Sequence, residues 1–297
     1  MNYYNEHTMI WLNGSFVKAA EAKVDLYSQT MHYGFGVFEG IRSYRTASGE
    51  TRIFKAEEHF TRLQRSAETL SMPYTYSNAE LIAATYKVLE LNGQQDAYIR
   101  PLVYAPANMS FAKNTESNIA ILTWEMAPFL GEKLIRVMSS SYQRPNPKGF
   151  HITAKAVGHY VNSLLASYEA KSNGYDEALL SDINGFLAEA PGANLFFEKD
   201  GVLYTPAPGN ILPGITRATV KEICEEMDVQ VVEKQCRFEE LLDADAAFFC
   251  GTAAEVIGWA SIDNNPLRKE WNDTISRKIQ IAYKDRVTEK IAEPTTI

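Results

Sequence analysis

The run His151-Ile-Thr-Ala-Lys155-Ala-Val-Gly158 pairs an amine with a change of backbone habit. It reads as an extended segment carrying Lys155 and broken by Gly158. A helical pattern follows, with Val161, Leu164, Leu165 and Tyr168 on one face expected to be buried. Lys155 then sits at the mouth of a strand-to-helix turn. An amine held there sheds hydration, its pKa falls, and its neutral form can make a Schiff base with an aldehyde. Taken alone, a solvated surface lysine is the stronger reading of the same residue.

Further groups suit such an amine. Gly214-Ile215-Thr216 opens a helix with Val220, Ile223 and Met227 on one face, and its first N–H groups, dipole and hydroxyl suit a phosphate. Gly251-Thr252-Ala253 follows a strand and offers a second small nest of N–H groups. Arg62 lies at the edge of a helical face formed by Phe60, Leu63, Ala67 and Leu70, either solvated or turned to an anion. Glu189 ends Phe186-Leu-Ala-Glu189. It is either an exposed strand-end glutamate or an inward carboxylate that needs a cation. An aldehyde holder, a partner for a protonated ring nitrogen and a phosphate cradle together fit pyridoxal phosphate.

The elements that must position these groups fill a chain of 297 residues, comfortable for two domains. Asn13-Gly14 joins Met9–Leu12 to Ser15–Val17 as a hairpin. In Met31–Tyr44, Gly34 and Gly36 do not complete GxGxxG, because position 39 is Glu; they instead allow a close backbone approach. Tyr33, Phe38 and Tyr44 line a pocket or fill core. Ser77-Asn-Ala-Glu80 is a capping box that opens a helix ending at Asn92-Gly93. Arg100 interrupts the strand Ala97–Tyr104 and either reaches an edge or points at an anion in a cavity. Arg144-Pro-Asn-Pro-Lys148 cannot be regular structure. Asn184-Gly185 and Asp200-Gly201 join two further hairpins, Glu177–Ser181 to Phe186–Glu189 and Asn194–Phe197 to Val202–Tyr204. The expectation is α+β in two domains: a small N-terminal domain (1–126), an interdomain loop region (127–148) and a large C-terminal domain (149–297).

Composition narrows the partners. The net charge is −8 with no basic block, which argues against nucleic acid and anionic membranes. No run of 18 apolar residues is present, and Met1–His7 lacks a signal pattern, so the cytoplasm is expected. Three cysteines without CxxC spacing and five scattered histidines without HExxH suggest neither a disulfide framework nor a metal site.

The chain resembles the class IV, fold-type IV (D-amino-acid aminotransferase-like) aminotransferases, most closely the branched-chain amino-acid group. The resemblance runs through His32-Tyr33-Gly34, Val37-Phe38-Glu39-Gly40-Ile41-Arg42, Tyr98-Ile-Arg100-Pro101, Ala154-Lys155, Asn162-Ser-Leu-Leu165, Glu189 with Gly192 and Asn194-Leu-Phe196, Leu212-Pro-Gly-Ile-Thr-Arg217, and Gly251-Thr-Ala-Ala-Glu255. It implies that Lys155 binds pyridoxal phosphate and shuttles the substrate Cα proton. Glu189 would meet the ring nitrogen, Tyr160 the phenolic oxygen, and Arg62, Ile215, Thr216 and Thr252 the phosphate. Tyr98, Arg100, Thr252 and Ala253 would handle substrate carboxylates, with Phe38 lining the side-chain pocket. Tyr33 would come from a neighbouring subunit of a homodimer or higher homo-oligomer. The substrates implied are L-leucine, L-isoleucine or L-valine as amino donors and 2-oxoglutarate as acceptor. Met126 and Phe129 stand where many members have Trp and Tyr, His159 where Asn is common, and Pro191 and Ala193 alter the loop after Glu189. Those departures bear on substrate range. The alternatives are a D-amino-acid or R-amine aminotransferase, an aminodeoxychorismate lyase, or a non-catalytic pyridoxal-phosphate-binding protein.

Overall fold

The computed structural model describes residues 3–126, 130–131 and 133–290. The chain divides into two compact units, Met1–Ala127 with Ala154–His159, and Pro128–Thr153 with Tyr160–Ile297. This differs from the expected ranges in two ways. The Lys155 segment groups with the first unit instead of the larger one. The expected loop region 127–148 contains the whole of a nine-residue strand, Ile135–Gln143, longer than the Leu134–Met138 strand that the apolar run there suggests.

The first unit holds strands β1 (Met9–Leu12), β2 (Ser15–Lys18), β3 (Gly36–Phe38), β4 (Ile41–Arg45), β5 (Thr51–Ile53), β6 (Ala97–Tyr104) and β7 (Asn118–Glu125), with helices α1 (Gln29–Tyr33), α2 (Ala56–Thr69) and α3 (Asn78–Leu91). The sheet runs β2-β1-β7-β6-β4-β5, with β3 also on β6, and every pairing is antiparallel. Asn13 and Gly14 take φ of 47° and 90°, the left-handed pair that a tight hairpin needs. Ser77 and Glu80 form the expected reciprocal cap of α3. Phe60, Leu63 and Ala67 of α2 and Leu81 and Val88 of α3 pack on Val37, Ile41, Ile99 and Ile121 of the sheet.

The Lys155 segment is strapped onto this unit without being a strand. Only Ala156 pairs, through a single bridge to Val37. Ile152, Ala154 and Ala156 are buried in turn, so the period-two pattern that signals a strand here reflects packing without a ladder. The Phe38 N–H donates to the Lys155 carbonyl at 3.1 Å, and the Lys155 N–H donates to Ser66 Oγ at 3.1 Å. The Gly158 N–H donates to the Gly34 carbonyl at 3.0 Å. Gly34 closes α1 at φ 64°, and a Cβ there would lie 2.6 Å from Gly158 Cα. The close approach that the glycines imply is thus to the lysine turn itself.

The second unit holds β8 (Ile135–Gln143), β9 (Glu177–Ser181), β10 (Asn194–Lys199), β11 (Val202–Pro206), β12 (Val231–Lys234), β13 (Ala246–Gly251), β14 (Glu255–Ile262) and β15 (Asn265–Pro266). Its helices are α4 (Tyr160–Ser172), α5 (Ile215–Glu226), α6 (Phe238–Leu242) and α7 (Ile275–Val287). The sheet order is β12-β11-β10-β13-β14-β8-β9, with β15 on β14. Pairings of β8 with β9 and β14, and of β11 with β12, are parallel. Two expectations fail here. Phe186–Glu189 is not a strand: it makes only the bridges Ser181–Leu187 and Glu189–Asn194. The Asp182 carboxylate takes the N–H groups of Asn184 and Phe186. Beyond this turn the Ala188 N–H still donates to the Leu180 carbonyl and the Leu180 N–H to the Glu189 carbonyl, so the segment lies against β9 without forming a regular strand. The apolar face of α4 is also turned outward. Val161, Leu164, Leu165 and Tyr168 are between 42% and 62% exposed. The helix instead buries Ser163, Ala166, Ser167 and Ala170, small residues that let it lie close to β8 and β9. Among the described residues no helix is long and apolar enough to cross a membrane, and no group of three or more histidines, cysteines or acids is placed to hold a metal.

Gly34→Ala and Gly49→Ala separate strain from contact. Gly49 also has positive φ, at 87°, but a Cβ there meets nothing within 4 Å. Urea unfolding should show a loss of about 1–2 kcal/mol for the left-handed alanine at 49. At 34 the loss should be larger by roughly 1–3 kcal/mol of overpacking against the lysine turn.

Candidate functional site

In the first unit, α2 presents polar groups on its inward face at the spacing of successive turns. His59, Arg62 and Ser66 are all buried. His59 and Arg62 meet Glu39, which follows β3 and is 0% exposed. Glu39 Oε1 accepts from Arg62 Nε at 2.6 Å and Oε2 from Arg62 Nη2 at 2.9 Å, a two-pronged pair. Oε2 also accepts from His59 Nδ1 at 2.7 Å and from the Gly40 N–H at 3.2 Å. Burial by itself would raise the Glu39 carboxyl, but the charges and hydrogen bonds of Arg62 and His59 outweigh it and hold Glu39 well below the usual carboxylate range. Burial pushes His59 below the ordinary histidine range; Glu39 opposes this, and the charges of Arg62 and Lys155 reinforce it. An ionised Glu39 only accepts, so a neutral His59 must carry its proton on Nδ1. Lys155 is half-buried, with Nζ 5.4 Å from the centre of the Phe38 ring.

Arg100 resolves toward the inner of its two readings. Its guanidinium lies 4.4 Å from the Phe38 ring centre, 5.4 Å from Tyr98 and 5.8 Å from Trp124. Nη2 donates to the Tyr98 hydroxyl at 3.4 Å, and Nε is buried without a hydrogen bond. No carboxylate among the described residues pairs with it. Tyr98 fits because position 40 is glycine: a Cβ there would stand 1.9 Å from the Tyr98 hydroxyl. Phe38, Tyr98 and Tyr44 are buried, whereas Tyr33 is half-exposed beside the exposed Phe111, at 5.9 Å between rings. The Met126 carbonyl accepts from Arg42 Nη2 at 2.7 Å. Phe129 lies outside the described residues.

In the second unit Glu189 is buried, which excludes the exposed strand-end reading. Its cation is Arg144, with Nε 2.9 Å from Oε1. The N–H direction misses the oxygen, so the contact is an ion pair more than a hydrogen bond. Asn194 Nδ2 donates to Glu189 Oε2 at 3.0 Å, and the Leu212 N–H donates to Oε1 at 3.1 Å. Asn194 also donates to the Leu212 carbonyl at 3.0 Å. Gly214 caps α5, and a Cβ there would lie 1.9 Å from Asn194 Oδ1. The residues that hold Glu189 therefore also seat the α5 N-terminus. The N–H groups of Ile215 and Thr216 have no protein acceptor among the described residues, and neither do those of Thr252 and Ala253 in the β13–β14 turn. Gly251 permits that turn to approach residue 192, whose carbonyl would be 2.9 Å from an added Cβ. Tyr160 is half-buried at the first position of α4.

The structure thus groups Lys155, Arg62, Phe38, Tyr98 and Arg100 in the first unit and Tyr160, Glu189, Ile215, Thr216, Thr252 and Ala253 in the second. Sequence reasoning missed Glu39 and His59, and it did not pair Arg144 with Glu189. Two signals were present: an acid inside the otherwise apolar Val37-Phe-Glu-Gly-Ile41, and His59, Arg62 and Ser66 falling on the apolar stripe of α2.

A strapped lysine in one unit, and in the other a buried carboxylate and N–H groups without a protein acceptor at a helix N-terminus, are groups able to meet a carbonyl, a cation and a phosphate. The chain belongs to the class IV aminotransferases: the amino-transferase class IV family model matches residues 36–262. It is 38% identical over 296 residues to the branched-chain-amino-acid aminotransferase of Pseudomonas aeruginosa, covering 98% of this chain and 96% of that one. Among solved structures, the branched-chain aminotransferase of Thermoproteus uzoniensis with norvaline superimposes with a TM-score of 0.92 at 36% identity over 96% of both chains. The branched-chain amino acid aminotransferase of Thermobaculum terrenum in its PLP-form gives 0.90 at 33% identity, over 97% of this chain and 96% of that one.

The histidine makes acid stability testable. His59 has its folded pKa lowered from 6.5 and Glu39 from 4.5. Both groups therefore stabilise fully above those values and lose that contribution as pH falls toward their folded pKa. Between about pH 6.5 and 4.5 only His59 of this pair acts. His59→Asn, which keeps a donor near Nδ1 but cannot titrate, should flatten the fall in urea-unfolding free energy from pH 7.5 to 5.5. Equal slopes in the two proteins would refute the buried neutral histidine.

Proposed function

We propose that this protein transfers the amino group of a branched-chain L-amino acid (leucine, isoleucine or valine) to 2-oxoglutarate, with pyridoxal phosphate as cofactor. The observation that carries the substrate class is Arg100. It is a cation set among Phe38, Tyr98 and Trp124 with no carboxylate of its own among the described residues. One pocket can then accept either an alkyl side chain on the rings or the side-chain carboxylate of 2-oxoglutarate on the guanidinium. The relatives, named for branched-chain substrates at 37–38% identity, support the same class.

The residues fit the cofactor. Unused N–H groups at Ile215 and Thr216, aligned with the α5 dipole, suit a phosphate, with Thr252 and Arg62 as further donors. Glu189, paired with Arg144 and bonded by Asn194 and the Leu212 N–H, suits a protonated ring nitrogen, and Tyr160 a phenolic oxygen. When bound, pyridoxal phosphate supplies an electron sink for the negative charge left at the substrate Cα. Lys155 anchors it through Nζ. With pyridoxal phosphate bound, the freed Lys155 Nζ would be the base that accepts the substrate Cα proton and the acid that passes it on to the cofactor side. Glu189 keeps the ring-nitrogen proton in place. Tyr98 and the Thr252–Ala253 N–H groups orient the substrate α-carboxylate.

The half-exposed Tyr33 and the uncovered apolar stripe of α4 support a homodimer in which a second copy covers these surfaces. Three free, buried cysteines suit the reducing cytoplasm.

In stopped-flow half-reactions, L-leucine should convert the yellow enzyme to its amine form, and Lys155→Ala should abolish the conversion. Fast conversion by D-alanine or (R)-1-phenylethylamine and none by L-leucine would sink the reading. Arg100→Leu should weaken L-glutamate by about 10–100-fold, the worth of a lost charge-assisted pair, and leave L-leucine within about three-fold. Leu164→Glu with Tyr168→Glu should release monomers in light scattering.

A further inference from the structure

The Glu39–His59–Arg62 cluster is more elaborate than a phosphate ligand requires. An arginine side chain loses up to about 2 kcal/mol of rotamer freedom when it is fixed, and an unguided guanidinium would lose it at the moment of binding. Here Glu39 takes Nε and Nη2 together, which sets both the plane and the rotation of the fork. Glu39 is itself immobilised by His59 Nδ1 and the Gly40 N–H, and at 0% exposure no water can take its place. The cluster carries no net charge, since Glu39 cancels Arg62 and His59 is neutral. Its contribution to anion binding is therefore geometric. Stability alone is a poor explanation, because a buried ion pair often contributes less than apolar residues of the same volume. One turn beyond Arg62 on the same face, Ser66 Oγ accepts the Lys155 N–H, so α2 carries the arginine and the lysine strap on one surface.

We propose that Glu39 and His59 are positioning residues that preset Arg62 for the cofactor phosphate, so that phosphate recognition in the first unit depends on a buried carboxylate. This rests on the reading of Arg62 as a phosphate donor. The test compares pyridoxal phosphate with pyridoxal, which shares the ring and aldehyde but lacks the phosphate, by titrating full-length apo-protein and following tryptophan fluorescence. The readout is the ratio of the two affinities, which a general loss of packing would not move. Glu39→Gln should lower the ratio by about 10–100-fold, as expected when charge-assisted bonds to a charged group are lost, with pyridoxal affinity kept within about two-fold. Arg62→Leu should lower it at least as far. An unchanged ratio in Arg62→Leu would remove Arg62 from the phosphate site, and the proposal with it. A lowered ratio in Arg62→Leu with wild-type selectivity in Glu39→Gln would overturn the positioning role alone. Should Glu39→Gln fail to fold, His59 decides the matter. His59→Leu should lose about 3–10-fold of the ratio, the worth of one hydrogen bond, and His59→Asn should restore it. Full selectivity in His59→Leu would overturn the proposal.

Discussion

A carboxylate cannot enter a protein interior unless donors surround it, because burial removes hydration that only hydrogen bonds and opposite charge can replace. Each unit of this chain buries such a group beside residues of the proposed cofactor site. Glu39 is met by Arg62, His59 and the Gly40 amide. Glu189 is met by Arg144, Asn194 and the Leu212 amide. Satisfying these two acids dictates much else: polar residues on the inner face of α2, a glycine at the head of α5, and an irregular chain rather than a strand on both sides of residue 189.

The fold was largely legible. Asn13-Gly14 and Asp200-Gly201 marked hairpins because their positive φ is a property of those residues alone. The cap at Ser77 and the periodic faces of α2 and α5 are equally local. What misled were patterns whose cause is not local. The extended run that carries Lys155 buries Ile152, Ala154 and Ala156 without joining a ladder. The stripe Val161, Leu164, Leu165 and Tyr168 is a genuine helical face, yet it turns away from the sheet of its own unit, and periodicity cannot say which neighbour an apolar face awaits.

The site divides in the same way. Lys155, the α5 N-terminus and the β13–β14 turn could be named from residue type at a chain break. Glu189 could be named only with two outcomes open, and its burial closed them. Glu39, His59 and Arg144 were invisible as a set, because a carboxylate and its partners lie 20 residues apart in the Glu39–His59 pair and 23 in the Glu39–Arg62 pair. Nothing in spacing foretells such a meeting.

Asn194 gives the second unit a property beyond holding an acid. Its amide nitrogen bonds Glu189 and the Leu212 carbonyl, and its amide oxygen fills the space a side chain at 214 would need. With Glu189 and the α5 N-terminus in their proposed roles, one short side chain fixes the span between the ring-nitrogen end and the phosphate end of the cofactor. The unit then works as a gauge of length. A ligand with the right groups at its two ends but a longer or shorter arm between them could not satisfy both, whatever its charge.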